Sequence, residues 1–165
     1  MLHLTYTNRL SSTLRAQLHG VWIAAYTQEA ALLGAIDFPP LRRASSGLLV
    51  AGEAAYLANL EGQLAGAVVF HQLPETRIVQ IRALVVAPSM QRRGVARALV
   101  DAVARQHPSL TLEVSTGVAN TPALALYRQF GFCETGRHVV GPESLEIVTL
   151  QRPGRDAVTS TKVLM

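Results

Sequence analysis

Leu84-Val85-Val86-Ala87-Pro88-Ser89-Met90-Gln91-Arg92-Arg93-Gly94-Val95-Ala96 is the stretch on which the fold turns. It begins as an apolar strand, is stopped by a proline and reopens as a helix around a glycine. Residues Arg77 to Val86 read as that strand. Val79, Ile81, Ala83 and Val85 are expected on one face, with Gln80, Arg82, Leu84 and Val86 on the other. Beyond Gly94, residues Val95, Leu99, Ala102 and Val103 recur at i, i+4, i+7 and i+8, an amphipathic helix that Pro108 ends. The first amides of a helix have no internal partners, and the helix dipole places positive potential there. Gly94 and Ala96 let an anion approach the backbone, and Arg92 and Arg93 add charge at the mouth. GxxxxGK[ST] and GxGxxG are both absent, so the turn is neither a P-loop nor a dinucleotide fingerprint.

Downstream, Leu110 to Val114 reads as a short strand. Thr121-Pro122 starts a helix with Ala123, Leu126, Tyr127 and Phe130 along one face, and Gly131 is placed to end it. Two strands are expected within 132–150, around Gly141-Pro142. Upstream, Ala55 to Asn59 and Leu64 to His71 form a hairpin about Glu61-Gly62. Leu2 to Thr7 reads as a strand and Ser11 to about Tyr26 as a helix. Pro39-Pro40 limits the segment from Ala30 to Gly47 to a short helix and a loop. Antiparallel strands followed by strand–helix–strand–helix–strand make a mixed α/β sheet with a parallel crossover. Residues 1–150 are expected as a single domain, with 151–165 a polar tail.

The order and spacing of two motifs resemble the GNAT acyltransferase superfamily. The first is the quoted strand, its proline and Gln91-Arg92-Arg93-Gly94-Val95-Ala96, which match [QR]xxGx[GA]. The second is Asn120-Thr121-Pro122-Ala123-Leu124-Ala125-Leu126-Tyr127-Arg128-Gln129-Phe130-Gly131-Phe132, which matches N-x6-Y-x3-GF. The motif-bearing part covers residues 78–132. The resemblance implies a central sheet of six to seven strands flanked by about four helices. It also implies acetyl-CoA as acyl donor. The backbone of Leu84-Val85-Val86 is then expected to pair with the pantetheine arm, and the amides from Gln91, Arg92 and Arg93 through Gly94, Val95 and Ala96 to hold the pyrophosphate. Asn120 is expected to bond the pantetheine or fix the helix that follows, and Tyr127 to sit near the sulfur. An amine attacks the thioester directly, a backbone amide near Val86 faces the oxyanion, and Tyr127 protonates the leaving thiolate. On its spacing alone, Tyr127 also reads as a core tyrosine.

The general base is open. Gln80 stands four residues before Leu84, where some members carry a glutamate, and there it could orient a water. Leu112-Glu113-Val114 resembles the context in which other members carry a glutamate, which makes Glu113 the first candidate; His71, at a strand end, is a weaker candidate and reads more readily as a surface histidine. An α-amine is roughly 10–15% neutral at neutral pH and could use water alone, whereas a lysine amine is only about 0.04% neutral and needs more help. Trp22, Tyr26 and Phe38 could line the acceptor pocket, and Arg42, Arg43, Arg137 or His138 could attract an anionic group; each also reads as core or surface.

Composition narrows the class. The chain has 165 residues, 49% hydrophobic and 16% charged, enough for one domain with its own core. Cys133 is the single cysteine, so no internal disulfide and no Cys/His zinc cluster can form. Residues Met1 to Arg15 lack a signal-peptide pattern, and no apolar run reaches the roughly 18 residues of a membrane span, so a cytoplasmic protein is expected. The net charge of +4 comes almost wholly from arginine, without the dense basic stripe of a nucleic-acid groove. A non-catalytic acyl-CoA-binding module is the alternative to an enzyme. Acyl-chain length is open, and a homodimer is compatible with the sequence but not required by it.

Overall fold

The structure, a computed structural model, describes residues 1–155. Its elements are β1 (Leu2–Thr7), α1 (Ser12–Leu33), β2 (Ala54–Leu60), β3 (Gln63–Gln72), β4 (Ile78–Val86), α2 (Val95–Gln106), β5 (Thr111–Gly117), α3 (Thr121–Gln129), β6 (Cys133–Val140) and β7 (Leu145–Arg152). The strands form one seven-stranded sheet in the order β1-β2-β3-β4-β5-β7-β6. Only β4 and β5 pair in parallel, through the α2 crossover. Among the described residues, no helix is long and apolar enough to cross a membrane.

Three expectations about the number and extent of elements change. Among the described residues there are three α-helices, not about four. Pro39-Pro40 cannot supply amides to a helix, and the segment after α1 forms only 3-10 turns at Pro39–Arg42 and Ser45–Gly47. Helix α1 runs past Tyr26 to Leu33. Its Gln28-Glu29-Ala30-Ala31-Leu32-Leu33 end is made of good helix formers, and Gly34 stops it. The tail begins later than residue 151, because β7 continues to Arg152; the expectation for 156–165 lies outside the described residues.

The largest correction concerns β4. Val69 pairs Ala83, but the next residue, Phe70, pairs Ile81, so Arg82 is an extra residue on β4. This β-bulge reverses the alternation of side chains. Val79 and Ile81 pack into the core under α2 and α3, while Ala83 and Val85 pack into the core under α1. Past the bulge the sheet also divides. β4 pairs β5 only from Ile78↔Thr111 to Ile81↔Val114, whereas β5 continues along β7 to Gly117↔Ile147 and β4 continues along β3 to Val86↔Gly66. A cleft opens between Leu84–Val86 and the end of β5.

Gly66 holds the mouth of this cleft together. A Cβ there would lie 2.5 Å from the Val85 carbonyl oxygen and 3.2 Å from the side chain of Val95, the first residue of α2. Gly66→Ala is therefore expected to cost about 1–3 kcal/mol through forced backbone movement, read as a lower denaturant midpoint at unchanged m-value.

Candidate active site

The turn between β4 and α2 is built from backbone. A 3-10 turn over Pro88–Met90 is closed by the Met90 amide donating to Ala87 O at 2.8 Å. Arg92 then adopts φ 63° and Gly94 φ 79°. Left-handed backbone is strained for arginine, and such strain gathers at functional turns. Among the described residues, none of the amides from Arg92 to Ala96 donates to a carbonyl or side chain. A groove of about 320 Å³ leaves this turn along Gly94, Arg97, Ala98, Asp101 and Phe130. Free amides at a helix start, two positive-φ residues and an adjoining groove suit a pyrophosphate and its nucleoside. Arg92 and Arg93 are exposed, and Arg93 pairs with Glu61 at 3.4 Å, so their charge is largely screened by solvent. The Gln91 amide donates to Gln28 of α1 at 2.5 Å, tying the turn to that helix.

Between the end of β5 and the start of α3, Asn120 is the hub. Its Oδ1 accepts from the Ala123 amide at 3.3 Å, capping α3. Its Nδ2 donates to Thr116 Oγ1 at 3.2 Å and to Glu29 Oε1 at 3.1 Å, and Thr116 Oγ1 donates to the same Glu29 oxygen at 3.4 Å. Tyr127, on the buried face of α3, is 3% exposed, its ring 5.4 Å from Phe132. Burial first, then the nearby Tyr26 and Glu29, push its phenol well above the usual tyrosine range, so it keeps its proton. Burial also raises the Glu29 carboxyl, against the lowering effect of the Asn120 and Thr116 hydrogen bonds. Sequence reasoning missed Glu29, although a signal existed. Trp22, Tyr26 and Glu29 stand at i, i+4 and i+7, so an acidic residue continues an apolar stripe.

Glu113 lies on the next-to-last paired rung, opposite Gln80. Its Oε1 accepts from the Gln80 amide at 3.0 Å and its Oε2 from the Gln151 amide at 2.8 Å. Both oxygens are therefore engaged. Gln151 comes from β7, far along the chain, and local spacing carried no sign of it.

His71 is not a surface histidine. Its Nδ1 is buried without a hydrogen-bond partner, 3.9 Å from Glu53 Oε2. Glu53, 7% exposed, is gripped by Arg82 through Nε and through Nη2 at 2.8 Å, and accepts from the Val50 amide at 2.9 Å. Burial raises its carboxyl, but these bonds outweigh that, and the net shift is downward. Arg82 also donates to Leu48 O at 2.6 Å and stands 5.8 Å from the centre of the Trp22 ring. Its side chain thus fixes the bulge to α1 and to the 47–53 loop.

The expected acceptor residues divide. Trp22, Tyr26 and Phe38 are buried together, with Tyr26 5.1 Å from Trp22 and 6.0 Å from Phe38. Arg42 pairs with Asp37, and Arg137 with Glu134 and Glu146. Arg43 donates to Gly47 O, and His138 is exposed. Glu143, in the β6–β7 turn, accepts from the amides of Ile36 at 2.8 Å and Asp37 at 3.0 Å. The last hairpin and the segment after α1 therefore meet.

A mixed seven-stranded sheet that splits after a bulge, with a turn of free amides between its central strand and the crossover helix, has the architecture expected of a GNAT acyltransferase. Residues 26–132 match the Acetyltransferase (GNAT) family, and the chain belongs to that family. It is 32% identical over 124 residues to UPF0157 protein YqkA of Bacillus subtilis, covering 73% of this chain and 35% of that protein. It is 39% identical over 85 residues to the peptidyl-lysine N-acetyltransferase YiaC of Escherichia coli, covering 47% of this chain and 53% of that protein. The chain thus spans about a third to a half of the length of these curated relatives. The structure also resembles spermidine N-acetyltransferase of Vibrio cholerae in complex with CoA and spermine, with a TM-score of 0.69 and 17% identity over 90% of this chain and 94% of that one.

Proposed function

We propose that this chain transfers the acetyl group of acetyl-CoA to a primary amine within a ternary complex, with Tyr127 as general acid. The observation that supports this reading is the parting of β4 from β5 after Ile81, with free amides in the turn that follows β4 and a buried Tyr127 phenol close to Tyr26 and Glu29. Acetyl-CoA supplies an activated acyl group. The amides from Arg92 to Ala96 hold its pyrophosphate, and Leu84, Val85 and Val86 present the strand edge that β5 has left. Asn120 keeps α3 and its tyrosine at the cleft. Tyr127 holds a proton for the departing sulfur. Glu113 is proposed to serve the amine through a water shared with Gln80, since both of its oxygens already accept amide donors. Amine acceptors are named for YiaC and for the Vibrio enzyme, which supports an amine here without selecting one. A cytoplasmic place of action suits the single exposed cysteine.

The donor site is tested by isothermal titration with acetyl-CoA. Wild type is expected to bind at micromolar concentration or better. In Gly94→Glu the new side chain has room, since nothing lies within 4 Å of its Cβ, but it brings a carboxylate to the anion site at φ 79°. Like charge there is worth a few kcal/mol, so affinity should fall by about 100-fold. A folded wild-type sample that shows no heat at millimolar acetyl-CoA overturns the assignment.

A further inference from the structure

Glu29 is a carboxylate without a counter-charge. Among the described residues no arginine, lysine or histidine pairs with it, and both of its donors, Asn120 and Thr116, reach the same oxygen, Oε1. No described group donates to Oε2. The groups around it are Thr116 near the end of β5, Asn120 at the cap of α3, Tyr127 on α3 and Tyr26 on its own helix; Arg43 and Arg82 act on Tyr26. A half-buried negative charge is unfavourable unless a cation joins it. Glu29 thus has a vacant oxygen, and it stands close enough to act on the Tyr127 phenol that the proposed reaction uses. Glu113 offers no such oxygen, because Gln80 and Gln151 occupy both of its own.

We propose that Glu29 Oε2 binds the ammonium group of the acceptor and takes its proton, which makes the site selective for cationic primary amines. This rests on the acetyl-transfer reading above. The carboxylate removes one proton from R–NH₃⁺ and becomes Glu29–COOH. The freed amine lone pair forms the C–N bond at the thioester carbon. The C–S bond breaks, and its electron pair leaves with the sulfur, which takes the Tyr127 proton. The tyrosine phenolate recovers a proton from the new N-acyl nitrogen, leaving a neutral amide. Glu29 then returns its proton to solvent. The sum is amide, thiol and one released proton. Burial assists the first step, since a carboxyl raised towards neutrality is a stronger base than an exposed one.

Glu29→Gln tests the charge alone, because glutamine keeps an oxygen for Asn120 and Thr116. Acceptors are an alanine-initiated peptide, a lysine peptide with a blocked N-terminus, and spermidine. For any amine that wild type acetylates, kcat/KM is expected to fall by about 100-fold or more in Glu29→Gln. Acetyl-CoA affinity should stay within about threefold, and the thermal midpoint near pH 8 should not fall, because a disfavoured buried charge has been removed. The rise of kcat/KM with pH that Glu29 governs in wild type should vanish in the variant. Retained turnover in Glu29→Gln overturns the proposal. So does a matching loss of acetyl-CoA affinity, which would mark Glu29 as a support for Asn120. Failure of wild type to bind acetyl-CoA sinks the donor reading itself. If wild type binds acetyl-CoA but acetylates no amine of the panel, carboxyl ¹³C spectra decide. A shift of the Glu29 resonance with millimolar amine supports the site, and no shift with any amine overturns it.

Discussion

Tyr127→Phe should lower kcat by at least about 100-fold while leaving the acetyl-CoA dissociation constant within about threefold. The ring that packs at 5.4 Å against Phe132 is retained, so α3 and its Asn120 cap keep their places. No described group accepts from the Tyr127 hydroxyl, so its removal forfeits no internal hydrogen bond, and stability should change little. Only the proton is lost. A phenol raised by burial is a weak acid beside a thiol of ordinary pKa near 8.5, and proton transfer to a free thiolate would be uphill by about 2 kcal/mol or more. Two features offset this. Burial raises the proton affinity of a thiolate in the same cleft as it does that of the phenolate. The phenolate is also reprotonated at once by the N-acyl nitrogen, which is far more acidic. The raised pKa has a further sign. Folding favours the protonated phenol, so the contribution of Tyr127 to stability is progressively lost as pH rises above the usual tyrosine value near 10. Activity therefore should show no alkaline limb from Tyr127 below that range. Stopped-flow and steady-state assays on a folded Tyr127→Phe sample check the first point. Wild-type turnover in the variant removes Tyr127 from the chemistry.

The turn between β4 and α2 was legible because its information is local. Pro88 ends a strand, Gly94 opens a helix, and Asn120-Thr121-Pro122 caps the next, all within a few residues of where they act. The bulge was not legible. Arg82 becomes the extra residue only through the register of β4 against β3, and a period-two pattern of Val79, Ile81, Ala83 and Val85 is what an unbroken strand would also show. The cleft follows from that register, so its position could be inferred only from the family likeness. Glu29 was hidden for another reason. The partners that mark it, Thr116 and Asn120, lie far along the chain, and the reading of α1 stopped before reaching it. Glu53 and Arg82 show the same limit: opposite charges on a loop and on a central strand, with nothing in local spacing to join them.

That pair carries the largest expected loss of stability. Glu53→Ala leaves the Arg82 guanidinium at the bulge without its carboxylate, and Arg82→Met leaves a buried carboxylate with only the Val50 amide and a histidine 3.9 Å away. Breaking such a pair costs about 3–5 kcal/mol, and about 3 is expected for Glu53→Ala because the Arg82 side chain keeps 18% exposure to water. Arg82→Met should lie nearer the upper end, since its carbonyl partner Leu48 is also left unsatisfied and its contact with Trp22 is lost. The double variant should be less destabilised than the sum of the singles, with a coupling of about 1–3 kcal/mol. The pH dependence has a definite sign. The folded-state pKa of Glu53 is depressed, so its stabilisation is present above the ordinary glutamate value near 4.5 and is lost as pH falls through the lower folded value. Urea midpoints of wild type should decline in that acidic window, and those of Glu53→Gln should decline less. Because Arg82 is itself the bulge residue, repacking it also shifts Leu84–Val86, and acetyl-CoA affinity should weaken in Arg82→Met even under conditions where the variant is fully folded. Additive stability losses, or unchanged acetyl-CoA binding in folded Arg82→Met, would show that the bulge is held by β3 and β4 alone and that the ion pair only closes the loop over it.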